Sequence, residues 1–151
     1  MDSPLVSIII PTWNGWENLT KECLDSIFKN TSSDTLAKIE IIVVANGCTD
    51  QTPTELAKLE KEGKLQAMIF KEQLGFLRAS NAGAQRAKGK YLLFMNNDVV
   101  ILDWGKTDEW FNRLVDPIEA DPTIGGVGPL LIKDEYTNWD FIVGFCLLTP
   151  K

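Results

Sequence analysis

Histidine is absent from this chain. Its absence excludes Ser-His-Asp triads, Cys-His pairs and His-ligated zinc sites built from this chain alone. Cysteine is scarce: Cys23, Cys48 and Cys146 are odd in number, widely separated and without C-x-x-C spacing. They read as reduced structural thiols of a cytosolic compartment, with a catalytic cysteine disfavoured at each position. Neither G-x-G-x-x-G after a first strand nor G-x-x-x-x-G-K-S/T occurs, which argues against a dinucleotide-dependent dehydrogenase or a P-loop kinase. Basic charge is also in deficit, with 15 Lys and Arg against 21 Asp and Glu and a net charge of -6. A duplex nucleic-acid binder that must neutralise many phosphates is therefore not expected. A small anionic ligand, held by one metal ion and one or two basic side chains, remains open. The apolar run from Leu5 to Ile10 is too short for a signal-peptide core or a membrane span, and the opening Met-Asp-Ser-Pro has no basic flank.

What is present is an ordinary globular composition: 151 residues, 44% hydrophobic and 24% charged, without repeats, low-complexity tracts or linkers. One domain spanning 1–151 is expected. Val6 to Ile10, stopped by Pro11, and Ile39 to Val44 are β-branched runs suited to strands buried on both faces of a parallel sheet. Between them Leu19, Cys23, Leu24, Ile27 and Phe28 recur at helical steps. Thr52, Pro53 and Glu55 read as a capping box opening a helix that Gly63 ends. Leu65 to Phe70 is a third strand, Ala79 to Lys88 a small-residue helix stopped by Gly89, and Tyr91 to Met95 a fourth strand. Thr107 to Ala120 is expected to form a helix burying Trp110, Phe111, Leu114, Val115 and Ile118. Val127 to Ile132 and Phe141 to Leu148 are further strand candidates, and the chain is expected to stop partway through its fold. Alternating strands and helices imply an α/β sandwich around a mostly parallel sheet.

The fourth strand ends abruptly in Asn96-Asn97-Asp98. Taken alone, these residues are an ordinary turn. At the carboxyl edge of an open sheet, one carboxylate beside two carboxamides offers hard oxygen ligands to a divalent cation carrying a phosphorylated ligand.

Four stretches in order resemble the inverting family 2 glycosyltransferases of GT-A fold. They are Val6-Ser7-Ile8-Ile9-Ile10-Pro11-Thr12-Trp13-Asn14, Ile41-Ile42-Val43-Val44-Ala45-Asn46-Gly47-Cys48-Thr49-Asp50, Gly75-Phe76-Leu77-Arg78-Ala79-Ser80-Asn81-Ala82-Gly83 and Tyr91-Leu92-Leu93-Phe94-Met95-Asn96-Asn97-Asp98. A weaker match covers Asp121-Pro122 to Pro129. The resemblance implies a Rossmann-like, mostly parallel sheet flanked by helices. It also implies transfer of a hexosyl or deoxyhexosyl group, with inversion, from a nucleoside-diphosphate sugar to a saccharide or lipid-linked acceptor, as in cell-wall or polysaccharide biosynthesis.

Carried over by position, the resemblance puts Pro11, Thr12, Trp13 and Asn46 at the nucleotide, and Arg78 and Asn81 near the diphosphate and sugar. Asn96 and Asn97 stand at the D-x-D-like motif, with Asp98 as ligand to Mn2+ or Mg2+. Trp13 as a core aromatic, Arg78 as a surface charge and Asp50 as a helix cap are the competing structural readings. Ala45 stands where many members carry an aspartate that accepts a hydrogen bond from a pyrimidine, which leaves the base open. Asp134, Glu135 and Asp140 fit no pattern for the catalytic base, which stays unassigned. A non-catalytic or degenerate nucleotide-sugar-binding module is the alternative. The expected location is cytoplasmic or at the inner face of the membrane, and apolar surface left uncovered would form an oligomer contact.

Overall fold

The computed structural model describes residues 3–102, 107–129 and 146–151. Five strands form one sheet in the order β3-β2-β1-β4-β5. They are β1 (Val6–Thr12), β2 (Ile39–Asn46), β3 (Gln66–Phe70), β4 (Tyr91–Met95) and β5 (Cys146–Pro150). The first four run parallel, and β5 pairs antiparallel to β4, with Leu93 opposite Leu148. Val127 adds a single antiparallel bridge to Leu148.

Side chains alternate across the pleat and so build two cores. Ile8, Ile10, Ile41, Val43, Leu93 and Met95 point to one face, where α1 (Lys21–Lys29), α3 (Thr52–Lys61) and α5 (Glu109–Ala120) cover them through Cys23, Leu24, Ile27, Leu56, Phe111 and Leu114. Ile9, Ile42, Val44 and Leu92 point to the other, beneath α4 (Phe76–Arg86). Close approach of α4 depends on Gly83, where a Cβ would lie 2.5 Å from Ile9 Cγ2 and 3.2 Å from Val44 Cγ2. The β1–β2–β4 centre is thus covered on both faces, which is what its unbroken β-branched runs require.

Several local expectations need correction. Leu19 belongs to a π-helical turn, Trp16–Thr20, that precedes α1, and it is 39% exposed rather than core. The capping box does not form. Gln51 holds the N-cap position without a side-chain bond, and the cap is made by Asp50, whose Oδ1 accepts from Thr52 N at 3.0 Å. Thr52 lies inside the helix, one position past the N-cap, and the Glu55 N–H that a capping box would offer its hydroxyl donates instead to Gln51 O at 3.1 Å. At the other end Lys64 N reaches Leu59 O at 3.0 Å and Gly63 N reaches Glu60 O at 2.9 Å, a Schellman closure at the expected glycine. Helix α4 starts at Phe76, a turn earlier than Ala79, so Arg78 and Asn81 lie inside it. The short α2 (Ser33–Leu36) was not expected. It is fixed from outside, because Ser32 N and Oγ donate to the Asp108 carboxylate at 2.8 and 2.6 Å. Residues 130–132 of the Val127 to Ile132 candidate, the segment 141–145, and Asp134, Glu135 and Asp140 lie outside the described residues.

Candidate active site

The connections after β1 and β3 run in opposite directions, so the sheet has its switch point between β1 and β4. Loops leaving the carboxyl ends of these two strands must diverge there, and the gap they leave is where open α/β sheets bind ligands. A cleft of about 400 Å³ opens at this place, lined by Pro11, Thr12 and Trp13 after β1, Asn46 at the end of β2, and Asn96 and Asn97 after β4. All six were named from the sequence. Leu19, Gln73, Gly75 and Phe76 complete the lining and were not. Trp13 is 58% and Phe76 55% exposed, so neither serves the core, and both present ring surface at the cleft. Exposed aromatics beside a polar floor suit a flat, partly apolar ligand. The signal that could have found Phe76 was its place directly after Gly75, within a quoted stretch, where a helix begins at the cleft.

The floor is rigidified by polar side chains that cross between loops. Asn14, at φ 56, uses its Oδ1 to accept from Thr49 N at 2.8 Å and Asp50 N at 3.3 Å. Asp50 Oδ2 accepts from Trp16 N at 3.2 Å. Burial pulls the Asp50 pKa upward, but donors from Thr52, Trp16 and Gly15 prevail and hold it below the ordinary carboxylate value. Asn97 donates from Nδ2 to Thr12 Oγ1 at 3.0 Å and Thr20 Oγ1 at 3.1 Å, two buried hydroxyls themselves 2.6 Å apart. Asn97 thus ties the end of β4 to the end of β1 across the switch point. Asn46 Oδ1 accepts from Leu74 N at 2.6 Å and so anchors the loop that carries Gln73 and Gly75.

Ala45 proves to be in the core, fully buried on the opposite side of β2, and it does not line the cleft. Strand alternation turns residue 46 to the cleft and residue 45 away from it. Arg78, Asn81 and Asp98 are exposed and stand outside the lining residues, Arg78 in the first turn of α4 and Asp98 just beyond Asn97. Among the described residues no group of three His, Cys, Asp or Glu side chains could hold a metal ion. The donor set at the end of β4 therefore fits a hard cation only if the ligand brings oxygens of its own, as a diphosphate does. Cys23 lies beneath this loop, its Sγ 3.7 Å from Asn96 O. Burial first, then Asp98 and Cys146, push its thiol up to about 12, and burial does the same to Cys146. Both stay protonated and inert at neutral pH.

Comparison with known proteins agrees with this geometry. The chain is 40% identical over 98 residues to an uncharacterized glycosyltransferase of Rickettsia prowazekii, covering 65% of this chain and 28% of that protein. It is 33% identical over 131 residues to the glycosyltransferase AglE of Haloferax volcanii, covering 85% of this chain and 38% of the relative. It therefore spans roughly a third of the length of these relatives. Among solved structures, the mannosyltransferase PcManGT of Pyrobaculum calidifontis, in complex with GDP-Man and Mn2+, matches with a TM-score of 0.64 and 27% identity, over 83% of this chain and 35% of that one. TarS 1-349 of S. aureus in complex with UDP matches with a TM-score of 0.54 and 27% identity, over 62% of this chain and 27% of that one. The sheet order, the switch-point cleft and a match to the model of Glycosyl transferase family 2 over residues 7–142 lead to one assignment: the chain belongs to that family.

Proposed function

We propose that this chain is the nucleotide-sugar-binding part of a glycosyltransferase that moves a hexosyl or deoxyhexosyl group, with inversion, from a nucleoside-diphosphate sugar to a hydroxyl of a saccharide or lipid-linked acceptor. The observation that carries this reading is the cleft at the switch point, with Thr12, Trp13, Asn46 and Asn96 converging on it from three adjacent strands. Trp13 and Phe76 would pack beside the nucleoside, and Asn96 would contact ribose or sugar. The diphosphate would lie toward the end of β4 and the first turn of α4, where backbone N–H groups point outward and Arg78 can pair with phosphate in a fork. Asn81 stands one turn further along the same helix, toward the sugar.

Asp98 would hold Mn2+ or Mg2+ together with the diphosphate oxygens. Such a cation, when bound, supplies Lewis-acid stabilisation of the charge that develops on the departing diphosphate. The residues of the chain have separate tasks: Arg78 neutralises phosphate, Asn97 holds the strand ends in register, and the aromatic rim excludes water. Inversion also needs a carboxylate to take the acceptor's proton on the face opposite the leaving group.

A test is a thermal-shift screen of UDP-, GDP- and dTDP-sugars with and without Mn2+, since a ligand that binds only the fold raises the melting point by mass action. A metal-dependent rise with at least one donor is expected, and none with any donor would refute the reading. Asp98→Ala should abolish the metal dependence, and its survival would refute the ligand assignment. One observation favours a binding module instead: the D-x-D-like site contains a single carboxylate. Donor binding without hydrolysis or transfer, in the same protein, would select that alternative.

A further inference from the structure

Asp98, the carboxylate that follows β4, is exposed and has no hydrogen-bond or ion-pair partner among the described residues. A carboxylate that ligates a metal is ordinarily aimed by a hydrogen bond from a neighbour. Here nothing holds the side chain itself, so its position is set by the backbone that carries it, and that backbone is fixed on both sides. Upstream, the Asn97 side chain binds the Thr12 and Thr20 hydroxyls, and Val99 N closes the turn onto Asn96 O at 3.3 Å. Downstream, residues 99–102 belong to no strand or helix, yet they alternate as a strand does. Val99 and Ile101 pack inward, while Val100 and Leu102 are 47% and 60% exposed.

An extended segment without a neighbouring strand still has backbone groups to satisfy, and at the buried Ile101 they are satisfied by α1. Ile101 N donates to Ser26 Oγ at 2.9 Å, and Ile101 O accepts from Asn30 Nδ2 at 2.7 Å. Ser26 lies in α1 and Asn30 is its C-cap, four positions on, so the two side chains share one face and flank a single residue as a pairing strand would. Both orientations are forced. A carbonyl oxygen takes only the NH2 end of Asn30, and Ser26 Oγ donates its own proton to Cys23 O at 2.7 Å and is left to accept. We infer that Ser26 and Asn30 are positioning residues of the cation site: by holding residue 101 they fix the backbone that carries Asp98. Helix α1 thereby sets the affinity for a nucleotide-bound Mn2+ or Mg2+ without touching the cation. Neither residue lines the cleft, so neither acts by contact with the nucleotide.

The inference rests on Asp98 as the metal ligand, and the experiment separates the two. Wild type and variants are titrated calorimetrically with UDP and with GDP, once in excess Mn2+ and once in EDTA. In Mn2+, Ser26→Ala should weaken binding at least about fivefold, and Asn30→Asp, an isosteric change that sets a carboxylate against Ile101 O, at least about tenfold. In EDTA both should stay within about twofold of wild type, a split that general loosening of the fold does not produce. Ser26→Thr, which keeps the hydroxyl, should bind in Mn2+ as wild type does. Ser7→Ala serves as the purely structural control. It removes a buried hydroxyl that accepts from Gly89 N at 2.7 Å, near the amino ends of the strands, and should lower the melting point while leaving binding in Mn2+ unchanged. Wild-type affinity in Ser26→Ala and Asn30→Asp, equal losses in Mn2+ and EDTA, an equal loss in Ser7→Ala, or a loss in Ser26→Thr as large as in Ser26→Ala overturns the inference and leaves the role of Asp98 intact. Asp98→Ala is titrated alongside: if it keeps the wild-type response to Mn2+, or if wild type binds neither diphosphate, the underlying reading fails and the inference fails with it.

Discussion

Asn97 shows how a residue can border a ligand cleft and still owe its conformation to the protein. Its NH2 group is committed to the Thr12 and Thr20 hydroxyls, both buried, so removing it strips two hydrogen bonds from a site that water does not reach freely. Asn97→Ala should therefore lower stability by about 1–3 kcal/mol, measured by urea denaturation. A neutral outcome would mean that the tie between β4 and β1 does not form. Gly83 makes the opposite point, that the absence of a side chain can be structural. A methyl group there would meet Ile9 Cγ2 at 2.5 Å, so Gly83→Ala should cost about 1–3 kcal/mol through overpacking, despite alanine's better helix propensity. If the variant is instead stabilised, α4 sits further from the sheet than described here. The sequence could disclose Thr12, Trp13, Asn46 and Asn97 because each ends a strand whose apolar pattern was plain. It could not disclose their division of labour, since which end of a carboxamide is tied depends on Leu74 or Thr20, partners 28 and 77 positions away.

At the scale of elements, the loops after β1 and β2 behave as one unit because Asn14 and Asp50 each bond into the other's loop. The depressed pKa of Asp50 gives this unit an acid sensitivity of definite sign. A carboxyl whose folded pKa lies below its unfolded value contributes stability that is complete above about pH 4. That contribution is lost as pH falls through the folded pKa. Asp50→Asn should thus lower the melting point at neutral pH and flatten its fall on the acid side. Parallel acid limbs for variant and wild type would show that the carboxylate is not bonded as described. The same element shows where sequence reading stopped. Thr52, Pro53 and Glu55 carry the pattern of a capping box, but pattern cannot tell that the helix begins one residue earlier, so that Glu55 N bonds to Gln51 O and Thr52 N to Asp50. Strand existence was legible above all in β1, β2 and β4, because burial on both faces writes itself as a dense apolar run. The π-helical turn at Trp16–Thr20 left no such mark, and Leu19 was drawn into the wrong period by it.

Over the whole molecule, the position of the cleft depends on β4, and β4 is held on one side by a strand more than fifty residues further along the chain, antiparallel to the other four. That direction was not readable, since a short apolar run fits a parallel or antiparallel neighbour equally well. It does set a sharp test of register. Leu148 faces the core opposite Leu93 at 1% exposure, while Leu147 is half-buried on the other face opposite Phe94. Leu148→Ala should cost about 2–5 kcal/mol, and Leu147→Ala clearly less, because only the former leaves a cavity in close-packed surroundings. The loss should appear as a lower urea midpoint at unchanged slope, the mark of destabilisation without a change in the surface exposed on unfolding. Since β4 carries Asn96 and Asn97 into the cleft, Leu148→Ala should also reduce the ligand-induced thermal shift, because a displaced end of β4 weakens binding, while Leu147→Ala should not. Equal costs for the two leucines, or the reverse order, would mean that β5 is shifted by one residue and that the edge of β4 beside the cleft is built differently.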